Sequence, residues 1–275
     1  MTPFLRRTIS GLIYVAGVTA AIWTGPPFFA LMLTFMATIA LKEYDDIVSP
    51  TTLPVRPILL PSFIVSLGLI LLATAGYLPA RVALPLIIPV FMLPMLAPVI
   101  FPQVRGQGGS EKAGLAMAWI LFPLLSLLAF YLLPAGGQIK RLLLLGLFAQ
   151  IWLYDTMAYI IGSWLGRHHL APHISPGKTW EGVAGGIAGA IVTAWIFSTF
   201  SDHISLLVWI AMALISIVFG TFGDLFESLL KRRAGKKEAG NIIPGHGGML
   251  DRIDSILIAA PFAWALLYIY LSWVK

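Results

Sequence analysis

Along the chain, apolar positions gather into long unbroken runs separated by short polar joints. Runs begin near Thr8, Pro27, Ile58, Val82, Gly114, Arg141, Glu181, Ile204 and Ile253. About 20 apolar residues suffice for a helix to cross roughly 30 Å of hydrocarbon, so the pattern predicts about nine transmembrane helices. The expected fold is all-α, a polytopic membrane helix bundle. Joints such as "LPVRP" and "RGQGGSEK" carry the Gly, Pro and charge of turns.

Composition agrees with the pattern. Of the 275 residues 59% are hydrophobic and 11% charged, with a mean hydropathy of +0.89. The first run, behind Arg6 and Arg7, has the look of a signal peptide. A second run follows almost at once with no clean cleavage site, so it reads as a retained anchor. Cysteine is absent, which excludes disulfides and thiolate metal sites.

Charge orients the bundle. With a cytoplasmic N-terminus, 14 of the 18 Lys and Arg fall inside, leaving Arg81, Lys140, Arg141 and Lys275 outside. The positive-inside rule therefore places the N-terminus in the cytoplasm and, with an odd number of spans, the C-terminus outside. The expected location is the inner or plasma membrane of the cell, multi-pass, with the chemistry facing the cytoplasm. The net charge of +6 is thus assigned to loops near anionic lipid rather than to nucleic acid.

Acidic residues divide the chain functionally. Asp155, Glu181, Asp202, Asp224, Glu227, Glu238, Asp251 and Asp254 are eight of the twelve Asp and Glu. Residues 1–140 accordingly read as a transmembrane scaffold and 141–275 as a catalytic transmembrane region, within one integrated membrane domain. The earlier acidic cluster, Glu43, Asp45 and Asp46 in "LKEYDDIVSP", reads as a solvated loop.

Within the second region Asp155 interrupts an apolar run, where a carboxylate is expensive unless it meets partners or water. Asp155, Tyr159, Gly162 and Gly166 share a helix face, and the glycines allow another backbone to approach. A packing carboxylate and a functional one are equally compatible with this. "HISPGKTWEG" offers Ser175, Lys178 and Thr179 to a phosphate, although Pro172 stands where a nucleotide-binding P-loop needs glycine. Lys178 and Thr179 also fit a snorkelling lysine and a helix cap.

Asp224, Glu227 and Ser228 fall on one side of a helix, ahead of the basic run Lys231 to Lys237. In "HGGMLDRIDS", Gly247 and Gly248 let the backbone approach a ligand. A helix starting near Met249 would aim free N–H groups at a phosphate. Asp251 and Asp254 project from one side of that helix at a spacing that suits Mg2+. Local salt bridges and a helix-dipole role are the plainer alternative. His246 would touch phosphate or shape the turn.

Ser228 to Asp254 resembles the signature of the phosphatidate cytidylyltransferases, or CDP-diacylglycerol synthases. The match runs through Ser228, Lys231, Arg232, Lys237, Gly240, Pro244, His246, Gly247, Gly248, Asp251, Arg252 and Asp254. Asp155, Ala158 and Tyr159, and the stretch from Ser175 to Gly182, resemble further family elements. Glu238 stands where the family pattern has aspartate.

The resemblance implies that CTP and phosphatidate give CDP-diacylglycerol and pyrophosphate, with a divalent metal, in a homodimer among membrane lipids. On that reading Asp224, Asp251 and Asp254 hold Mg2+, alone or with a second cation, and Lys231 and Arg252 act with them on the reacting phosphates. Ser175, Lys178, Thr179, Ser228, Arg232, Lys237, His246, Gly247 and Gly248 bind substrate, and Asp155 and Glu227 support the site. Rival readings are another CTP-dependent membrane lipid enzyme, such as a polyprenol kinase or CDP-archaeol synthase, and a transporter with intramembrane acids.

Overall fold

A computed structural model describes residues 3–48, 54–92, 109–201, 204–242 and 247–273. Nearly all of them are helical. In chain order the helices are α1 (Pro3–Thr24), α2 (Pro26–Val48), α3 (Arg56–Thr74), α4 (Ala80–Met92) and α5 (Gly109–Ala116). A π-helical turn (Met117–Leu121) leads from α5 into α6 (Phe122–Ala129). Then follow α7 (Gly137–Leu165), a hairpin of β1 (His169–Ala171) and β2 (Ser175–Thr179), α8 (Trp180–Thr199), α9 (Leu206–Arg233) and α10 (Leu250–Trp273).

Among the described residues seven helices are long and apolar enough to cross a membrane. They are α2, α3, the stretch Glu111–Leu132, α7, α8, α9 and α10. The other two expected runs are also helical. The apolar part of α1, Thr8–Thr24, is shorter, and α4 is described for 13 residues. The protein is a polytopic helical membrane protein, and the hairpin is its departure from a purely helical reading.

The chain forms two compact units. The first comprises Met1–Leu132 and Ala234–Ile253, the second Leu133–Arg233 and Asp254–Lys275, so α10 contributes its opening turn to one and its remainder to the other.

In the first unit α2 packs with α1, α3 and α6. Its buried face carries Phe29, Leu33 and Tyr44, and the hydroxyl of Tyr131 donates to the Ile22 carbonyl at 2.8 Å. The π-helical turn lies just before Pro123, which has no N–H for the carbonyl four residues earlier. The expected loop at "LKEYDD" is instead the last two turns of α2, with Glu43 and Asp45 only 4% and 8% exposed. Asp45 pairs with Lys112 at 2.8 Å and accepts the N–H groups of Val55 and Arg56.

In the second unit α7 and α8 form the most extensive helix pair. Gly162 faces Gly182, and side chains of α7 fill the spaces beside Gly185, Gly186 and Gly189. Small residues thus bring two membrane helices close, as the glycine spacing predicted. Fully buried Gln150 donates to the Trp209 carbonyl at 3.1 Å and accepts from Ser216, tying α7 to α9. The hairpin pairs His169 with Thr179 and Ala171 with Ser175. It ends in the cap of α8, where the Thr179 hydroxyl accepts the Gly182 N–H at 3.1 Å.

Candidate active site

The last two turns of α9 carry the densest chemistry in the second unit. Asp224, Glu227, Ser228 and Lys231 lie at steps of three and four, which places them along one helix face. Gly223 determines what meets that face: a Cβ there would run into the Asp254 carbonyl, and one on Gly220 would touch Ser255. Glycine therefore lets the α10 backbone lie directly against α9 and brings Asp254 in beside the acids. Asp224, Glu227 and Asp155 all lie within electrostatic reach of Asp254.

Lysines offset part of this negative charge. Lys178, on β2, reaches Asp224 at 2.6 Å, and both side chains are about a quarter exposed. Lys231 pairs with Glu227 one turn away on α9, and both are buried. Ser228 donates to Asp224 at 3.2 Å. Tyr154 on α7 bonds Thr221, one turn before Asp224, at 2.8 Å. The hairpin is tied to α9 by Arg232, whose Nε donates to the Ile174 carbonyl. Asp155 is exposed on α7, and Asp254 is 8% exposed, with Oδ1 accepting the Ser255 N–H at 2.7 Å.

Four carboxylates thus share one neighbourhood with two paired lysines. Glu227 and Asp254 of this group are buried, Asp224 is partly exposed and Asp155 exposed, and each like charge nearby raises the cost of ionising the others. Among the described residues no three His, Asp or Glu side chains form a group able to hold a metal ion by themselves. Mg2+ does not require one, because it commonly binds through one or two carboxylates, with substrate phosphates and water as its other ligands. Asp224 and Asp254 lie within electrostatic reach of each other on two helices in contact at Gly223.

The signature segment in the first unit is built differently. Gly247 has φ +81, a left-handed conformation that favours glycine. Asp251 folds back, and its Oδ2 accepts the N–H of Ala239 at 2.8 Å and of Gly248 at 2.7 Å. The N–H groups of Met249 and Leu250, expected to be free for a phosphate, donate instead to Glu43 at 2.9 and 2.8 Å. Gly248 likewise gives room to Glu43 rather than to a ligand, since its Cβ would lie 2.6 Å from both Glu43 oxygens. Lys237, Glu238 and Arg252 are exposed, and the Lys236 ammonium donates to the Asp46 carbonyl at 2.8 Å. His246 lies outside the described residues.

The structure therefore gathers Asp155, Lys178, Asp224, Glu227, Ser228, Lys231 and Asp254 in the second unit, with Ser175, Thr179 and Arg232 on or beside the hairpin. It engages Thr179 as a helix cap and Asp251 as a backbone anchor. Glu43 is the residue that sequence reasoning missed. Its signal was present: Met36, Ala40, Glu43 and Ile47 lie at helical steps and are all buried, so the acid continues an apolar stripe.

Comparison with known proteins bears on the same residues. Residues 5–270 match the cytidylyltransferase family. A phosphatidate cytidylyltransferase of Haemophilus influenzae is 32% identical over 287 residues, covering 94% of this chain and 96% of that protein. The phosphatidate cytidylyltransferase of Bacillus subtilis is 48% identical over 121 residues, 44% of this chain and 45% of its own. That of Thermotoga maritima is 38% identical over 134 residues, 46% of this chain and 48% of its own. With a match that runs almost from end to end and includes the acid-rich face of α9 and the start of α10, the chain belongs to the cytidylyltransferase family.

Proposed function

We infer that the protein is a phosphatidate cytidylyltransferase, a nucleotidyltransferase that converts CTP and phosphatidate into CDP-diacylglycerol and pyrophosphate. The observation that carries this reading is the full-length similarity to a protein of that name. The cluster of acids and lysines on α9, β2 and α10 supplies a chemical reason for it.

The phosphatidate phosphate is largely dianionic near neutral pH, its second pKa being about 6, so it needs no added base to act as a nucleophile. One of its oxygens bonds to the α-phosphorus of CTP while the bond from that phosphorus to the α–β bridging oxygen breaks. Pyrophosphate leaves with the bonding pair. The barrier is mutual repulsion of anions, lowered by positioning and by cationic groups.

Asp224 and Asp254 would hold Mg2+, alone or with a second cation, which would neutralise charge on the triphosphate, while Asp251, the third ligand expected from the sequence, anchors the backbone within the first unit. Lys178 is placed to exchange Asp224 for a substrate phosphate, which releases a carboxylate oxygen as the substrate arrives. Lys231, Ser228, Arg232 and Ser175 complete the polar lining, and Glu227 keeps the Lys231 ammonium in place. Arg252, Lys237, His246 and Gly247 are expected to touch phosphates. Gly248 serves by admitting Glu43, Thr179 by capping α8, and Asp155 by adding to the charge that retains the cation.

The acids and lysines of this cluster all fall within residues 141–275, which supports that region as the catalytic one and 1–140 as scaffold. The excess of Lys and Arg in one set of loops supports a cytoplasmic N-terminus and an active site facing the cytoplasm of a cell membrane, and the nine apolar runs support nine spans. The lipid's acyl chains would stay among membrane lipids in a homodimeric enzyme. The test is to incubate purified protein with CTP and phosphatidate, with and without Mg2+. Equimolar CDP-lipid and pyrophosphate are expected, whereas release of CDP with a phosphorylated lipid would make it a kinase.

A further inference from the structure

We propose that Glu43 is a positioning residue for the cytidylyl transfer. From α2 it sets the start of α10, the helix whose opening turn carries Asp251 and Arg252. The proposal rests on the reading of the function given above.

Both oxygens of Glu43 are engaged. Oε1 accepts the Met249 N–H at 2.9 Å and Oε2 the Leu250 N–H at 2.8 Å, across more than 200 residues of chain. These donors lie at the open end of a helix, where N–H groups have no partner within the helix and the dipole favours an anion. A side chain from a distant helix, rather than a local Ser or Asp, thus caps α10.

The glycines of the signature make room for this acid. A Cβ on Gly240 would lie 2.5 Å from Oε1, and one on Gly248 2.6 Å from both oxygens. Gly240 and Gly248 therefore both lie against one buried carboxylate. Asp251 fastens the same turn from within by accepting the Ala239 and Gly248 N–H groups. Four backbone donors, at 239, 248, 249 and 250, are thus held by two acids.

Replacement by glutamine makes the mechanism visible. In Glu43→Gln the side chain would keep one acceptor oxygen but turn an NH2 group toward the other amide donor, so the helix start must shift. Aspartate keeps both oxygens and the charge but retracts them by a methylene. Because residues supporting a ligand shell typically carry about 10–100-fold of activity, Glu43→Gln should lower kcat about ten-fold or more. The CTP KM should stay within about two-fold, as when an interaction expressed in the transition state is lost. Glu43→Asp should fall between the glutamine variant and the parent.

The experiment pairs CTP-plus-phosphatidate kinetics with amide hydrogen exchange on the full chain in lipid. The expected result is the kcat loss above, with protection lost at Met249 and Leu250 and retained in the other helices. Parental kcat in Glu43→Gln, or parental protection of those two amides, overturns the proposal. So does a loss of protection spread over the whole bundle, which would mark a general packing role. If the glutamine variant fails to fold, parental kcat and exchange in Glu43→Asp overturn it equally. A parent protein without turnover contradicts the function, and exchange then decides alone whether Glu43 holds the turn.

Discussion

Glu227 near the end of α9 and Glu43 near the end of α2 are both buried in a membrane protein, yet the acids grouped around them do opposite work. On α9, Asp224 and Glu227 face lysines, and α10 adds Asp254 to the crowd. On the function proposed above, that arrangement holds mobile charge: lysines that change partners and carboxylates that take a cation. On α2, both oxygens of Glu43 go to the backbone N–H groups of Met249 and Leu250, and Asp45, besides its pair with Lys112, accepts those of Val55 and Arg56. Those acids hold chain rather than ligand. Burial alone therefore does not mark a catalytic carboxylate. The nature of its partners does.

The sharpest way to break this contrast is to neutralise one acid of the crowded set. Asp254→Asn should lower turnover by at least about a hundred-fold, the scale of losing one preorganised electrostatic contact, while the folded fraction stays that of the parent. Activity within a few-fold of the parent would place the ion elsewhere.

A smaller effect is expected on stability. Glu227→Gln leaves Lys231 buried without this carboxylate, a change worth about 3 kcal/mol when a buried pair is broken from one side. Adding Lys231→Met should recover much of the thermal stability but none of the activity. Failure of the double replacement to recover stability would mean that the pair is not an isolated unit.

Gly223→Ala probes the approach of α10 to α9. Its Cβ would meet the Asp254 carbonyl, and overpacking of this kind costs about 1–3 kcal/mol. A lowered melting temperature together with a raised Mg2+ requirement is expected. An unchanged Mg2+ requirement would separate helix packing from the ion.

Lys178→Ala should be the mildest for stability. The pair with Asp224 is a quarter exposed, and exposed pairs contribute at most about 1 kcal/mol. Its kinetic signature should be a raised KM for CTP. Unchanged CTP kinetics would contradict the exchange of partners between Asp224 and phosphate.

What could be read from the sequence follows the same division. Asp224, Glu227, Ser228 and Lys231 announce a common face because helical periodicity is local, and Gly162 announces close packing by the same logic. The nine apolar runs are legible because hydrocarbon thickness sets their length. The hairpin at 169–179 was not, since strands of three and five residues leave no alternating pattern to detect. The open N–H groups expected at the start of α10 are taken, for a related reason. Local sequence shows that a helix end has open donors, but not that a carboxylate 206 residues away already occupies them. The stripe through Met36, Ala40, Glu43 and Ile47 hinted that Glu43 was inside, without saying what it meets there.

The most direct test of the central claim is ion binding itself. Mn2+, a hard stand-in for Mg2+, can be titrated by electron paramagnetic resonance into the purified protein with CTP present. A saturable site whose affinity falls at least about ten-fold in Asp224→Asn is the predicted result. Equal affinity in the parent and the variant would contradict the assignment of the ion to Asp224 and Asp254.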